Sequence, residues 1–352
     1  MSENASTPSK LKPPLRKRKK KTSVSLLIII DIVFAALIVL VFYLTTYVWH
    51  GETKPQPLTT QSAAPVVSDS SVTPAVITES SSPTTSGEAT AAPEPLTLRE
   101  KFADKFTGGD VQQTANSYKS ANISVSIDTV EENGVVYFLA DIYVADIKFF
   151  KTAFAKRPDV LGYIEPTDKI AQEVGAILAI NGDYCLNTKE FIIRNGNLYP
   201  TNNSVESDLL IMYSDGTMTT LSPEDVDKEK IIAEAPYQVW SFGPMLLKDG
   251  QVMTEFTSPQ HISGSTNNPR TAVGYYEPGH YCFLVVDGRQ EGYSYPGMSC
   301  AQMSGLFYRL GCKAAYNLDG GKTSEMAFMG KLYNKPVGGG RSVSDILYIA
   351  DE

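Results

Sequence analysis

The stretch that decides the fold is Cys282-Phe-Leu-Val-Val286-Asp287-Gly288, followed after Cys300 to Gly311 by Ala314-Ala-Tyr-Asn-Leu318-Asp319-Gly320-Gly321. Short, wholly apolar runs bounded by turn residues read as strands buried on both faces. Between them, Cys300 to Leu310 carries a helical pattern and stops at Gly311, a usual C-cap residue. A strand–helix–strand order calls for a crossover connection and predicts parallel neighbouring strands. Asp287 and Asp319 would then leave the carboxyl ends of adjacent strands, where open α/β sheets place ligands. Ala176-Ile-Leu-Ala-Ile180 runs in the same way into Asn181-Gly182-Asp183. Asp-Gly and Asn-Gly are common turn dipeptides. Their recurrence after three buried runs is what points to a site.

Working outward, 97–106 reads as a short helix, and Ile123 to Ile127 pairs with Val135 to Val144 around Asn133-Gly134 as a hairpin. Further strands are predicted at 191–194, 208–213, 217–221, 237–242, 271–276 and 345–350, and helices at 169–174, 223–235 and 299–310. Strands outnumber helices. The expected architecture is α+β: a single mixed-sheet catalytic domain over 97–352, with helices packed on the sheet.

The first 96 residues have another character. Eight Lys/Arg between Lys10 and Lys21 face only Glu3, although the whole chain of 352 residues carries a net charge of −8. The body is therefore strongly acidic and would repel a phosphate polymer, which argues against a nucleic-acid partner. From Leu26 to Leu44 every residue is apolar or aromatic except Asp31, and Tyr43, Tyr47 and Trp49 follow at the far end. Such a run spans the roughly 30 Å of a bilayer's hydrocarbon. The expected organisation is a basic cytoplasmic tail (1–23), one transmembrane helix through the lipid bilayer (24–48), a disordered Ser/Thr/Pro/Ala-rich linker (49–96) and an extracytoplasmic domain. A cleaved signal peptide would have a shorter apolar core and a small-residue cleavage site after it.

Other chemistries find little support. His50, His261 and His280 are the only histidines, so a His-rich zinc site is not expected. Gly320-Gly321-Lys322-Thr323-Ser324 lacks the first spaced glycine of a P-loop. No cofactor is required by these residues, although clustered Asp and Asn oxygens could hold Ca²⁺ or Mg²⁺. Cys300 and Cys312 sit at opposite ends of one helix and cannot bridge. Cys282 and Cys312 begin the two supposed neighbouring strands and are the pair to expect if a disulfide forms, with buried free thiols as the alternative.

Five motifs come in the order of a known family: Asn181-Gly182-Asp183-Tyr184; Ser241-Phe-Gly-Pro244 with Lys248-Asp-Gly250; Asn268-Pro-Arg270-Thr-Ala-Val-Gly274; Val286-Asp-Gly-Arg289; and Asn317-Leu-Asp-Gly-Gly321. Over roughly 120–352 the chain resembles the phosphodiester glycosidases. The resemblance implies hydrolysis of a sugar-1-phosphodiester in a cell-surface glycan or exopolysaccharide. Such a reaction needs carboxylates at the sugar and a cation on the phosphate. It implies catalytic roles for Asp319, Asp287 and Asp183. Arg270 is the first candidate for the phosphate, with Arg289 and Arg341 behind it. Asn181, Gly182, Asn317, Gly320, Gly321, Lys322 and Thr323 complete the expected substrate site. Lys322 stands where the family has glycine, which favours the alternative of a non-catalytic glycan-binding or cell-wall assembly protein on the same fold.

Overall fold

Ile123, Val125 and Ile127 alternate with polar residues, and the strand they build, β1 (Ile123–Glu132), turns back into β2 (Val135–Val144). Asn133 and Gly134 both have positive φ, as a tight type I′ hairpin requires. The computed structural model describes residues 32–38, 40, 55–59, 96–157, 160–186, 191–199, 201, 204–256, 264–291 and 295–352. The strands that carry the site are β3 (Leu178–Asn181), β4 (Ile193–Arg194), β5 (Gln238–Trp240), β6 (Arg270–Glu277), β7 (His280–Val286), β8 (Ala314–Asn317), β9 (Met326–Phe328) and β10 (Asp345–Ile349). Helices α1 (Thr167–Glu173) and α2 (Cys300–Leu310) pack beside them. The central nine-stranded sheet contains β8-β6-β7-β2-β1 in that order, a five-stranded sheet contains β9-β3-β10, and a six-stranded sheet contains β4-β5.

The sheet-dominated α+β expectation agrees with this arrangement, but the parallel pair does not. β7 and β8 do run in the same direction, yet β6 lies between them and pairs antiparallel with both. The reason is the β6–β7 hairpin, closed at Pro278-Gly279, which already occupies the near side of β7. The crossover through α2 therefore lands one strand further on. Every pairing among the described strands is antiparallel.

Period-two alternation sends β7 into two cores. Tyr281, Phe283 and Val285 meet the five- and six-stranded sheets through Phe150, Ile180, Trp240 and Leu347. Cys282, Leu284 and Val286 face Met303, Leu306 and Phe307 of α2. A Cβ on Gly274 of β6 would lie 2.6 Å from the Cys282 sulfur and 2.7 Å from the Phe307 ring, so only glycine admits the helix so close. Ser299 and Gln302 form a capping box at the start of α2, and Gly311 closes it in the left-handed conformation. All four cysteines are buried thiols outside any disulfide, with the Cys282 and Cys312 sulfurs 3.9 Å apart. The expected pair is thus in contact and unbonded.

Two compact units divide between Gly51 and Glu52. In the first, residues 32–38 and 40 are helical. No described helix is long and apolar enough to cross a membrane. The basic tail and most of the expected span and linker lie outside the described residues. Within the expected linker, Gln56–Pro57 forms an edge strand paired antiparallel with Asn197–Leu198.

Candidate active site

Register brings three of the predicted residues to one end of the central sheet. Arg270 opens β6 opposite Val286, next to Asp287, while the Leu318 amide donates to the Thr271 carbonyl and places Asp319 on the other side. Asp183 arrives from the five-stranded sheet. The Asp319 amide donates to the Gly182 carbonyl (3.3 Å), and the Asn181 side-chain amide donates to the Asp319 carbonyl (2.7 Å). Asn181 Oδ1 in turn accepts from the Thr271 hydroxyl (2.6 Å) and the Glu325 amide (3.3 Å). Asn181 is fully buried, so its structural effect is to fasten the ends of β3, β6 and β8 together.

Asp319 is the predicted carboxylate that reaches the surface. Its side chain is 17% exposed; Oδ1 accepts from the Gly320 amide (2.8 Å) and Oδ2 from the Arg341 guanidinium (3.1 Å). Burial raises its pKa above the ordinary carboxylate value, against the lowering by Gly320, Arg341 and Thr323. Arg341 is half exposed, and its backbone amide donates to the buried Glu325 carboxylate (3.2 Å), which fixes the loop that delivers it. The end of the exposed Lys322 side chain lies against Gly338 in the same loop. Arg341 is thus the cation seen on the Asp319 carboxylate, with Lys322 exposed in the turn that follows it.

Asp183 is sealed in the interior, where burial raises its pKa and Asp319 adds to the rise. Its Oδ2 accepts from Arg194 (3.0 Å) and from the Ser241 amide (3.0 Å), and Arg194 also reaches Asp345 (3.2 Å), all three side chains being 0–1% exposed. Arg194 further donates to the Val239 and Ile193 carbonyls and lies 5.5 Å from the Trp240 ring centre. This triad ties β4 to the ends of β3 and β10. Burial opposes the charge on Arg194, but Asp345 and Asp183 are among the groups that more than restore it. Gly182 belongs to the same packing: a Cβ there would sit 2.6 Å from the Asp345 carboxyl.

One guanidinium cannot neutralise two carboxylates, and the excess shows at Asp345. Burial pushes its pKa up to about 7, with Asp183 adding to the rise and Arg194 opposing it. Ser344 has a single hydroxyl proton, used toward the Asp183 carbonyl (2.7 Å), so a protonated Asp345 Oδ1 can donate to the Ser344 oxygen (3.2 Å). Because this pKa is raised above the unfolded value, its stabilising contribution is complete below that value and is lost as pH rises toward 7. The thermal midpoint should therefore fall by several degrees between about pH 5 and about pH 8. Asp345→Asn should flatten that slope; an equally steep slope in the variant would remove the assignment.

The side chains of the other predicted residues are engaged with separate partners. Asp287 is buried, and its two oxygens accept from Asn334 (2.8 Å) and the Lys335 amide (3.2 Å), with burial raising its pKa. It anchors the 333–335 loop. The Arg270 guanidinium turns inward, donating to the carbonyls of Met298 (3.2 Å) and Thr266 (2.9 Å); burial, then Arg289, lower its pKa. Arg289 binds Asn268 at the surface. Asn317 donates to the Gly243 carbonyl (2.8 Å). The Gly321 amide donates to the Pro269 carbonyl (2.9 Å) and the Thr323 hydroxyl to the Gly320 carbonyl (2.7 Å), which shapes the turn under Asp319. No group of three or more His, Cys, Asp or Glu among the described residues could hold a metal ion. Sequence reasoning passed over Arg194, Glu325, Asn334 and Asp345. For Arg194, Glu325 and Asp345 the available signal was an ionisable residue inside or beside an apolar strand, which demands a partner when buried; Asn334 carried none.

Fold and site define a sheet-dominated α+β domain whose acidic site is assembled from strand ends of two sheets. A family profile described as phosphodiester glycosidase matches residues 174–350, and the chain belongs to that family. It is 29% identical over 189 residues to the SPbeta prophage-derived uncharacterized protein YomE of Bacillus subtilis (strain 168), covering 51% of this chain and 29% of that protein's length. Among solved structures it resembles the catalytic domain of zebrafish N-acetylglucosamine-1-phosphodiester alpha-N-acetylglucosaminidase, auto-inhibited by its pro-peptide. That likeness has a TM-score of 0.52 at 21% identity, covers 65% of this chain and 83% of the other, and is one of fold.

Proposed function

We propose that the protein hydrolyses the glycosidic bond of a sugar-1-phosphodiester. The observation that carries this reading is the Asp319–Arg341 pair, a partly exposed carboxylate with a half-exposed guanidinium on one oxygen, with the exposed Lys322 three residues on in the chain. Water adds to the anomeric carbon, and the bond from that carbon to the phosphate oxygen breaks. One hydrogen stays on the new sugar hydroxyl while the other goes to the phosphate or solvent. Positive charge builds on the ring as the bond breaks, and the Asp319 carboxylate faces it. Phosphate leaves readily, so a cation matters more than a strong acid. Arg341 and Lys322 take the role that the motif comparison assigned to Arg270, whose guanidinium is occupied by backbone carbonyls.

Incubating the full chain with a panel of sugar-1-phosphodiesters should release free sugar and a phosphomonoester in equal amounts. Glycan binding without turnover of any panel member would replace the hydrolase by the non-catalytic reading. The apolar run 26–44 after the basic tail supports anchoring of this activity at a membrane, facing cell-surface glycans. Carbonate-resistant membrane association of the full chain, lost on deletion of residues 1–48, checks the anchor; release of the intact chain would discard it.

A further inference from the structure

Four residues of the reaction site close a ring of hydrogen bonds. The Asn181 side-chain amide donates to the Asp319 carbonyl (2.7 Å), and Asn181 Oδ1 accepts from the Glu325 amide (3.3 Å). Glu325 Oε1 accepts from the Arg341 amide (3.2 Å), and the Arg341 guanidinium returns to Asp319 Oδ2 (3.1 Å). We propose that Glu325 is a positioning residue of this site: its carboxylate holds the glycine loop before Arg341, so that the guanidinium meets Asp319 and the phosphate of the substrate. The inference rests on the hydrolase reading for its substrate and on the ring for its geometry.

The loop needs such a hold. Gly338, Gly339 and Gly340 lie in succession at φ of 64°, 79° and 88°. Consecutive glycines have the most backbone freedom to lose, so the entropy of fixing them is large. The Gly339 and Gly340 amides donate back into the loop, to the carbonyls of Pro336 (3.2 Å) and Val337 (3.3 Å). Those bonds shape the turn without attaching it to the sheets. The Arg341 amide, next in the chain, leaves the loop for Glu325.

Gly340 and Glu325 are fitted to each other. A Cβ at position 340 would collide with Glu325 Oε1, so the carboxylate fills the space that glycine leaves. Glu325 is itself held firmly. It is buried, its Oε2 accepts from the Thr167 amide at the start of α1 (3.4 Å), and its carbonyl accepts from the Asn181 amide (3.3 Å). Burial raises its pKa, while the hydrogen bonds from Thr167 and Arg341 oppose the rise. A charged acceptor binds an N–H more strongly than a neutral one, which suits it to fastening a loop. The leaving phosphate gains negative charge as the glycosidic bond breaks. A guanidinium fixed in advance therefore acts more on the transition state than on the bound ester.

The test uses the full chain and a sugar-1-phosphodiester that it hydrolyses. Glu325→Ala should lower kcat about 10–100-fold and change KM by less than about three-fold. In an Arg341→Ala background the same substitution should cost no further activity, because the guanidinium through which Glu325 acts is gone. An undiminished kcat overturns the proposal, as does a second full loss in the double variant, the result of a purely structural role. Gly340→Ala drives a methyl group onto the Glu325 oxygen and should lower kcat in the same way; it decides if Glu325→Ala folds poorly. If no ester is hydrolysed, trypsin reads the hold on the loop without activity. Cleavage after Arg341, measured against cleavage after Arg309 in α2, should be about ten-fold faster in Glu325→Ala than in the wild type. That result upholds the hold by Glu325 while the hydrolase reading fails, and equal rates overturn it.

Discussion

Asp319→Asn should lower kcat/KM for sugar-1-phosphodiester hydrolysis by roughly 10²–10⁴-fold, the range expected when a reacting acid–base group is removed. The substitution keeps shape and nearly all packing. The amide oxygen can still accept from the Gly320 N–H, while the amide nitrogen faces Arg341 and breaks that pair. Arg341 is half exposed and moves into water, so the stability cost is small and the thermal midpoint should hold. The loss is then chemical. Burial raises the Asp319 pKa, so the acid limb of wild-type activity should lie above the range of an ordinary aspartate, with activity rising as the carboxylate forms. Undiminished hydrolysis by the asparagine variant would take the chemistry away from Asp319.

Arg194→Met should destabilise the domain by about 3–5 kcal/mol near neutral pH, because it strands Asp183 and Asp345 in the interior without a counter-charge. For a domain of this size, that corresponds to a fall in thermal midpoint on the order of 10 °C. The loss should shrink as the pH is lowered toward about 5, because burial raises the pKa of both carboxyls and penalises only their charged forms. Calorimetry at the two pH values measures this directly. A variant that melts with the wild type at both would show that the triad is not a sealed charge cluster. Arg194 is thus expected to affect activity only through the fold, in contrast to Asp319.

Much of the fold was legible because alternation and apolar runs report burial directly. β7 and β8, the Asn133-Gly134 hairpin, and α2 with its Gly311 cap all lie where their residues place them. The candidate site was legible as segments more than as side chains. Asp287, Arg270 and Asp319 do share one end of the central sheet, yet only Asp319 turns outward. Asp287 holds a loop, Arg270 holds two carbonyls, and Asp183 is committed to Arg194. A motif places a residue along the chain, whereas its partners come from other segments, 47 residues away for Asp287 and 28 for Arg270.

The sequence by itself determined which stretches are strands, that strands dominate, and to which family the ordered motifs belong. These follow from local periodicity and turn chemistry, which need no knowledge of distant residues. Tertiary structure alone decided that β6 separates β7 from β8, that Arg194 faces Asp183 and Asp345, and that Arg341 rather than Arg270 meets Asp319. Strand order and the pairing of buried charge depend on which faces meet across the fold, and the free energy that selects those meetings is a property of the assembled sheets.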